Sequence, residues 1–500
     1  MQNPKRLAAV DLGSNSFRLE IGRVDHGSFL RTEYLKETVR QGAGLDEERN
    51  LTTDAMQAGW DCLARFGERL ADFAPEEVRA VATQTLREAR NRDVFLERAN
   101  AILGFPIDVI SGQEEARLIY QGVAHLLPET DEKRLVIDIG GRSTELILGH
   151  GHQTLAMESY RVGSIAWSKR FFADGVLNKK AFEIAEIAAK AVLDEAFGTY
   201  QASQWQTAYG SAGTVGAVGD VLQANGFAAG TITQEGLDWL LERLLSAQHA
   251  DKVKLPGLRE DRKAIIGGGL SVIRALFSLL GIRSLRKADG GLRHGLICDL
   301  LDAEHPFGDL RQHSVDRLAR KFEVDSTHGE RVGRVATQLL RELLPTYPAI
   351  STEKHPALVQ KLQWAAQLHE LGGFISHDDH HKHGAYILDH VDAAGFSLSE
   401  MHRLSLLVLG HRGKLRKLEA ALGQVDLVLQ LVCLRLAVIL CHARQEPAMQ
   451  ALHLSAQPKS QTIHLQCPAD WARNYPQSAH LLREEILAWQ KTGWMLTVNL

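Results

Sequence analysis

The chain has 500 residues, 45% of them hydrophobic and 24% charged, a globular composition that excludes a disordered protein. A formal net charge of −4 is small for this length and excludes recognition of nucleic acid by bulk charge, so any anion site must be local. Five scattered cysteines (Cys62, Cys298, Cys433, Cys441 and Cys467) show no CxxC and no framework spacing, the pattern of free thiols in a reducing cytosol.

The opening MQNPKRLAAVDLG has no signal-peptide core, because its apolar run breaks at Asp11. Residues 7–11 and 17–24 read as strands joined by a tight GSNS turn. An amphipathic helix follows over 54–73, a buried strand over 78–82 and a second helix over 85–103. Residues 107–110 form a short strand running into a helix over 113–126, and 135–139 with 145–148 repeat the opening strand–turn–strand pattern. Helical patterns cover 182–197, 214–223, 234–247, 262–280 and 291–301. This alternation predicts an α/β region with helices on central sheets. From about residue 305 the strand signals vanish, and patterns over 309–322, 328–344, 356–369, 383–393, 399–410 and 425–442 predict an all-α region. The acidic, proline-containing turn 302–308 joins the two regions. The longest apolar run lies near Leu427 to Leu440. It is too short and too broken by Arg435 to span a bilayer, so a soluble, cytoplasmic protein with no integral membrane segment is expected. Residues 462–466, 479–490 and 494–498 predict a small α+β tail.

An internal repeat organises the first part. LAAVDLGSNSFRLEIG matches LVIDIGGRSTELILG: apolar strand, aspartate, glycine, small hydroxyl residues, returning strand. A duplicated domain follows, with one hairpin loop from each half and a cleft between them. The expected division is 1–124 and 125–304 for the two halves, 305–449 for the helical domain and 450–500 for the tail.

Small residues at these turns let backbone N–H groups converge on an anion with no side chain in the way. Gly13, Ser14, Asn15 and Ser16 offer amides and hydroxyls on one side; Gly140, Gly141, Ser143 and Thr144 offer them on the other. A third loop, Gly210-Ser211-Ala212-Gly213-Thr214, opens a helix, whose N-terminus favours phosphate. One such loop alone reads as a tight turn. Two matched loops and a helix-opening third point to phosphate binding.

Six segments in register (AAVDLGSNSFRLEIG, ATQTLREARN, ISGQEEARLIYQGV, LVIDIGGRSTEL, YGSAGT and ADGGLRHGLI) resemble the exopolyphosphatase/guanosine pentaphosphate phosphohydrolase family. The resemblance implies a duplicated actin-like α/β fold of the acetate- and sugar-kinase type, Mg²⁺-dependent hydrolysis in the cleft, and a homodimer. It implies an exopolyphosphatase releasing terminal orthophosphate from inorganic polyphosphate. The alternative is a guanosine pentaphosphate 5′-phosphohydrolase, which the same motifs serve. A kinase on the same fold and a non-catalytic phosphate or nucleotide sensor are remoter readings.

In SGQEEARLIY, Ser111-x-x-Glu114 has capping-box spacing, so Glu114 is expected to fold back on the helix start. Glu115 points about 100° further round, free to face the cleft and accept a proton from an attacking water. The resemblance places its catalytic base at this second glutamate. Asp138 ends an apolar strand and Glu145 begins the return strand; two carboxylates across a hairpin suit one hydrated Mg²⁺. Asp11 holds the matching place in the first repeat and is expected to act on water or Mg²⁺ indirectly. Arg87 in TLREARN matches the family's phosphate-contacting arginine, whose planar fork can grip two phosphate oxygens. Arg142 stands where the family has glycine; it adds a phosphate contact or narrows the loop. Ser164 in RVGS falls where the family has a small residue near the terminal phosphate. The helical region looks like the HD-type phosphohydrolase fold, carrying His328, His369-Glu370 and HDDHHKHGAYILDH. Glu370 replaces the aspartate of the adjacent pair, and the resemblance implies a degenerate scaffold that has lost its metal.

Overall fold

The computed structural model describes residues 5–25, 28–128, 130–302 and 310–499. It divides into two compact units, Met1–Phe307 and Gly308–Leu500. Residues 303–308 of the expected turn lie outside the described residues.

Among its described residues the first unit contains two sheets built on one plan. The first holds β1 (Arg6–Leu12), β2 (Phe17–Asp25), β3 (Ser28–Glu37), β4 (Val78–Ala82) and β5 (Ile107–Val109), in the order β3-β2-β1-β4-β5. The second holds β6 (Lys133–Ile139), β7 (Thr144–His150), β8 (Gln153–Tyr160), β9 (Thr207–Ser211), β10 (Thr231–Thr233) and β11 (Ser284–Lys287), in the order β10-β11-β9-β6-β7-β8. Central β1 pairs antiparallel with β2 and parallel with β4; central β6 pairs antiparallel with β7 and parallel with β9. The sequence repeat is therefore a repeat of topology. Apart from their first residues, β1 and β6 are buried throughout, which is why they read as continuous apolar runs rather than alternating ones.

Several elements differ from expectation. The edge strands β3, rich in charge, and β8, mostly polar and half-exposed, carry no apolar run to announce them. Strand β9 includes Gly210 and Ser211 of the expected third loop; its TAYGS sequence is short and ends in small residues, so it carries no strand signal. The single helix expected over 85–103 is two, Gln84–Glu88 and Arg92–Leu103. Between them the backbone turns extended at Ala89, and the Asn91 side chain bonds both the N–H and the C=O of Leu51. That break leaves Arg87 on a short helix facing the start of helix Gly112–Ala124. This second helix is held against Leu292–Asp302 by missing side chains: a Cβ on Gly122 would come 2.2 Å from the Gly291 carbonyl, and one on Gly295 2.0 Å from that of Leu118.

Glu260–Leu280 is the one stretch among the described residues long and apolar enough to cross a membrane, and 67% of it is buried within the protein. It consists of a 3₁₀ turn, Glu260–Ile265, and the core helix Ile266–Leu280. The expected apolar run is likewise a core helix, Val425–Leu440 in the second unit. Its Arg435 is neutralised there by a two-pronged pair with Glu485 at 2.5 and 2.6 Å.

The second unit packs helices that include Leu310–Lys321, Ser326–Leu343, His355–Leu368, His380–His390 and Leu398–Gly410 around Val425–Leu440. A three-stranded sheet, β12 (His453–Gln457), β13 (Thr462–Gln466) and β14 (Met495–Val498), shares their hydrophobic core through Leu454, Ile463, Leu465 and Leu496. All five cysteines are buried, and no disulfide joins them.

Candidate active site

The two hairpin loops of the first unit have the same tight geometry. A Cβ on Gly13 would lie 3.1 Å from the Ser16 carbonyl, and one on Gly140 3.2 Å from the Ser143 carbonyl. The loops also meet, since a Cβ on Gly141 would come 3.2 Å from that of Ser14. Thr85 Oγ1 donates to Ser14 Oγ at 2.8 Å, and Ser164 N–H donates to the Gly140 carbonyl at 3.0 Å, so each loop is also tied to its own half.

The cleft between the halves is lined by Asp11, Gly13, Ser14, Asn15, Ser16, Glu115, Asp138, Gly140, Gly141, Ser143, Ser164, Ser211 and Gly213. Five residues singled out from sequence stand outside its wall. Arg87 sits behind Glu115, its Nη1 2.8 Å from Glu115 Oε2. Glu145 is buried and accepts from Ser159 Oγ at 2.7 Å. Thr144 donates its hydroxyl to the Val162 carbonyl at 2.5 Å. Gly210 lies inside β9, where a Cβ would strike Val215 and Leu285. Arg142 turns to the opposite half, pairing with Glu88 at 2.5 Å and donating to the Gly42 carbonyl at 3.1 Å.

Helix Gly112–Ala124 opens on Ser111, whose hydroxyl accepts from Glu114 N–H at 3.1 Å. The Glu114 carboxylate, expected to close a capping box, is instead gripped by Arg117 with two bonds of 2.8 Å. Glu114 is thereby fully buried, and Glu115 points into the cleft.

Asp11, Glu115, Asp138 and Glu145 bring four carboxylates close together here, and burial acts on Glu115 first. It raises the Glu115 pKa in spite of the Arg87 guanidinium beside it. Burial, with Glu115 and Asp11 nearby, pushes Asp138 up to about 7. Burial first, then Glu115 and Asp138, hold Glu145 well above the usual range. Asp138 and Glu145 are direct register partners across β6 and β7, which puts their side chains on one face. Asp11 is held differently, 3.1 Å from Arg18 and 3.6 Å from Arg293.

Sequence reasoning missed the cations of the cleft. Arg18, Lys36, Arg262, Lys287 and Arg293 all line it. Burial first, then the neighbouring Arg262, Arg18 and Arg259, push the Lys36 ammonium down to about 8. Such crowding of like charges is costly until an anion arrives. Two had a usable signal: the hairpin register sets Arg18 opposite Asp11, and Arg293 lies within the ADGGLRHGLI segment.

Two α/β halves closing on hydroxyls, small-residue loops, carboxylates and crowded cations define a hydrolase of phosphoanhydride bonds. The Ppx/GppA phosphatase family model matches residues 21–304, and the model of Ppx/GppA phosphatase domain III matches 310–486. The chain belongs to this family. It is 37% identical over 495 residues to a guanosine-5′-triphosphate,3′-diphosphate pyrophosphatase of Pseudoalteromonas translucida, covering 98% of each chain. A protein of the same name from Vibrio vulnificus is 36% identical over 499 residues, 99% of each chain. Among solved structures, an exopolyphosphatase from Cytophaga hutchinsonii aligns with TM-score 0.54 and 23% identity, over 60% of this chain and 98% of that one. The Aquifex aeolicus family member gives 0.51 and 23%, over 61% and 99%. These likenesses show the duplicated actin-like fold of the first unit.

Proposed function

We propose that the chain hydrolyses the 5′-terminal phosphoanhydride of guanosine pentaphosphate. This reverses the order of preference drawn from sequence, which put polyphosphate first. The observation that carries it is the name shared by relatives that match from end to end at 36–37% identity. The structures named for polyphosphate are more distant, at 23% identity, and speak for the fold alone.

In this reading the loops around Ser14 and Ser143 cradle the terminal phosphoryl group, and the crowded cations receive the remaining phosphates. Glu115 accepts a proton from the water that attacks phosphorus, while the bond to the leaving diphosphate oxygen breaks in line. Its raised pKa makes it a stronger proton acceptor than an ordinary carboxylate. Asp138 and Glu145 fit Mg²⁺: they are paired, buried oxygen donors whose mutual repulsion a hard divalent cation would relieve. So few protein ligands leave places for water and phosphate oxygens, and the ion, when bound, would neutralise phosphate charge. The second unit is read as an HD-type helical scaffold with an α+β tail, on its His369-Glu370 pair, and the family resemblance supports a homodimer.

The test is phosphate release from guanosine pentaphosphate, long polyphosphate and ATP, each with and without Mg²⁺. The guanosine substrate should lead in kcat/KM by about tenfold or more, a difference of roughly 1.4 kcal/mol. Higher kcat/KM on polyphosphate would return the assignment to exopolyphosphatase.

A further inference from the structure

Tyr34, on the edge strand β3, lines the cleft and is 42% exposed, and nothing in the hydrolysis makes use of it. A half-exposed ring on an edge strand is ordinary surface cover when it stands alone. This one does not. The Arg293 guanidinium carbon lies 5.2 Å from the centre of its ring, and that of Arg31 lies 5.5 Å away. Arg293 is fixed from behind: its Nε donates to the buried Glu20 carboxylate at 3.1 Å. Arg31 is exposed, so water can take its charge when something else covers the ring.

The hairpin sets the distance from this ring to the reacting phosphate. Register across β2 and β3 places Lys36 opposite Arg18, and Tyr34 opposite Glu20. Residues two apart on a strand share a face, so Lys36 and Tyr34 follow one another along the same wall. Going outward from the first loop, the cleft presents Ser16, then the Arg18 and Lys36 cations, then Tyr34. At about 3.3 Å per residue, the four steps from Ser16 to Glu20 cover about 13 Å. A ligand with its terminal phosphoryl group in the loops and its next phosphates on Arg18 and Lys36 delivers its following group to Tyr34. Inorganic polyphosphate delivers only more charge. A nucleotide delivers a flat heterocycle.

We propose that Tyr34 is the platform on which the guanine base stacks, with Arg31 yielding the exposed face of the ring and closing over the base. This deepens the guanosine assignment and rests on it. Every base has a π-face, and an aromatic side chain that stacks on it contributes binding that a bare phosphate chain cannot collect. A guanidinium beside the stack adds attraction to the ring faces, and the Arg31 fork matches the O6 and N7 acceptors of guanine. Tyr34 therefore favours a nucleotide over a chain of phosphates, although both place the same phosphoanhydride before Glu115.

The test compares two inhibitors that carry the same uncleavable diphosphate, methylenediphosphonate and guanosine 5′-(α,β-methylene)diphosphate. Inhibition constants are read from phosphate release, on whichever of guanosine pentaphosphate and polyphosphate the wild type cleaves faster. In the wild type the guanosine compound should bind about tenfold more tightly than the bare diphosphonate. Tyr34→Ala should remove that advantage and leave the bare diphosphonate unchanged, while Tyr34→Phe, which keeps the π-face, should retain it. The ring is half exposed, so neither variant opens a cavity in the core. Faster cleavage of polyphosphate would overturn the guanosine assignment whatever the inhibitors do. Equal inhibition by the two compounds in the wild type, or a Tyr34→Ala that weakens both or neither, overturns the base platform even where guanosine pentaphosphate is the faster substrate.

Discussion

Arg87 Nη1 and Glu115 Oε2 lie 2.8 Å apart, so the proposed base is ion-paired with the arginine that sequence had assigned to phosphate. Arg87 is itself fixed by Gln84 Oε1 and by the Ile110 carbonyl at 2.9 Å. It therefore aims Glu115 from behind rather than facing the cleft. Burial still raises the Glu115 pKa, so the pair orients the base without draining its basicity.

Glu115→Gln should lower turnover by roughly 10²–10⁴-fold in a chain that still folds, its amide keeping a hydrogen bond to Arg87. Glu114→Gln should do the reverse, because it breaks a buried two-pronged pair with Arg117 and leaves the chemistry in place. Steady-state kinetics and thermal melts on the two variants separate the roles. Equal losses of turnover would remove the distinction between neighbours.

Asp138 makes a stability prediction as well as a catalytic one. With its folded pKa pushed up to about 7 from an ordinary 3.8, the metal-free native state binds more protons than the unfolded chain in between. Stability is therefore lost as pH rises from about 4 through 7. In chelator, Asp138→Asn should melt above wild type at pH 8, and the two should converge near pH 4. With Mg²⁺ restored, the same variant should need more metal for half-maximal activity. A melting difference that does not grow with pH would mean Asp138 is not the buried charge inferred here.

The duplicated fold was legible because both hairpins keep the same order of aspartate, glycine and small hydroxyl residues, and both central strands are apolar on two faces. The edge strands were not: β3 carries charges and β8 polar residues where each meets water, so neither shows an apolar run. In the site, residues on the two loops and at the helix start could be nominated because each has a local pattern. Lys36 and Arg262 have none, and Arg293, though inside the ADGGLRHGLI segment, has no pattern that aims it at the cleft. They come from a strand, a 3₁₀ turn and a helix far apart in sequence, and only folding crowds them together. Arg142 shows the converse, a loop residue whose partner, Glu88, belongs to the other half.

That tie predicts coupling. Arg142→Gly and Glu88→Gln should each loosen the two halves, and the double variant should cost less than the sum by roughly 0.5–3 kcal/mol in a denaturation cycle. Because Arg142 stands outside the cleft wall, inhibition by inorganic phosphate should change little in Arg142→Gly. Additive effects, joined to a marked loss of phosphate inhibition, would instead make Arg142 a phosphate ligand.

Lys36 provides a pH signature for substrate binding. Its ammonium is pushed down to about 8 by burial and by the arginines around it, so it is charged below that pH and loses its proton above it. A polyanion in the cleft favours the charged form, and binding therefore weakens once the free enzyme has deprotonated. KM for guanosine pentaphosphate should rise as pH passes about 8 in the wild type. Lys36→Arg, whose guanidinium stays charged, should abolish that rise while keeping tight binding. Lys36→Met should raise KM at every pH and flatten its dependence on salt, since one cation–phosphate contact is gone, by analogy with polyanion binding in nucleic acids. Glu115 is untouched by either change, so turnover at saturating substrate should stay within a few-fold of wild type. If Lys36→Met keeps the alkaline rise in KM, another group titrates there, and the crowded cations are not what receives the substrate's distal phosphates.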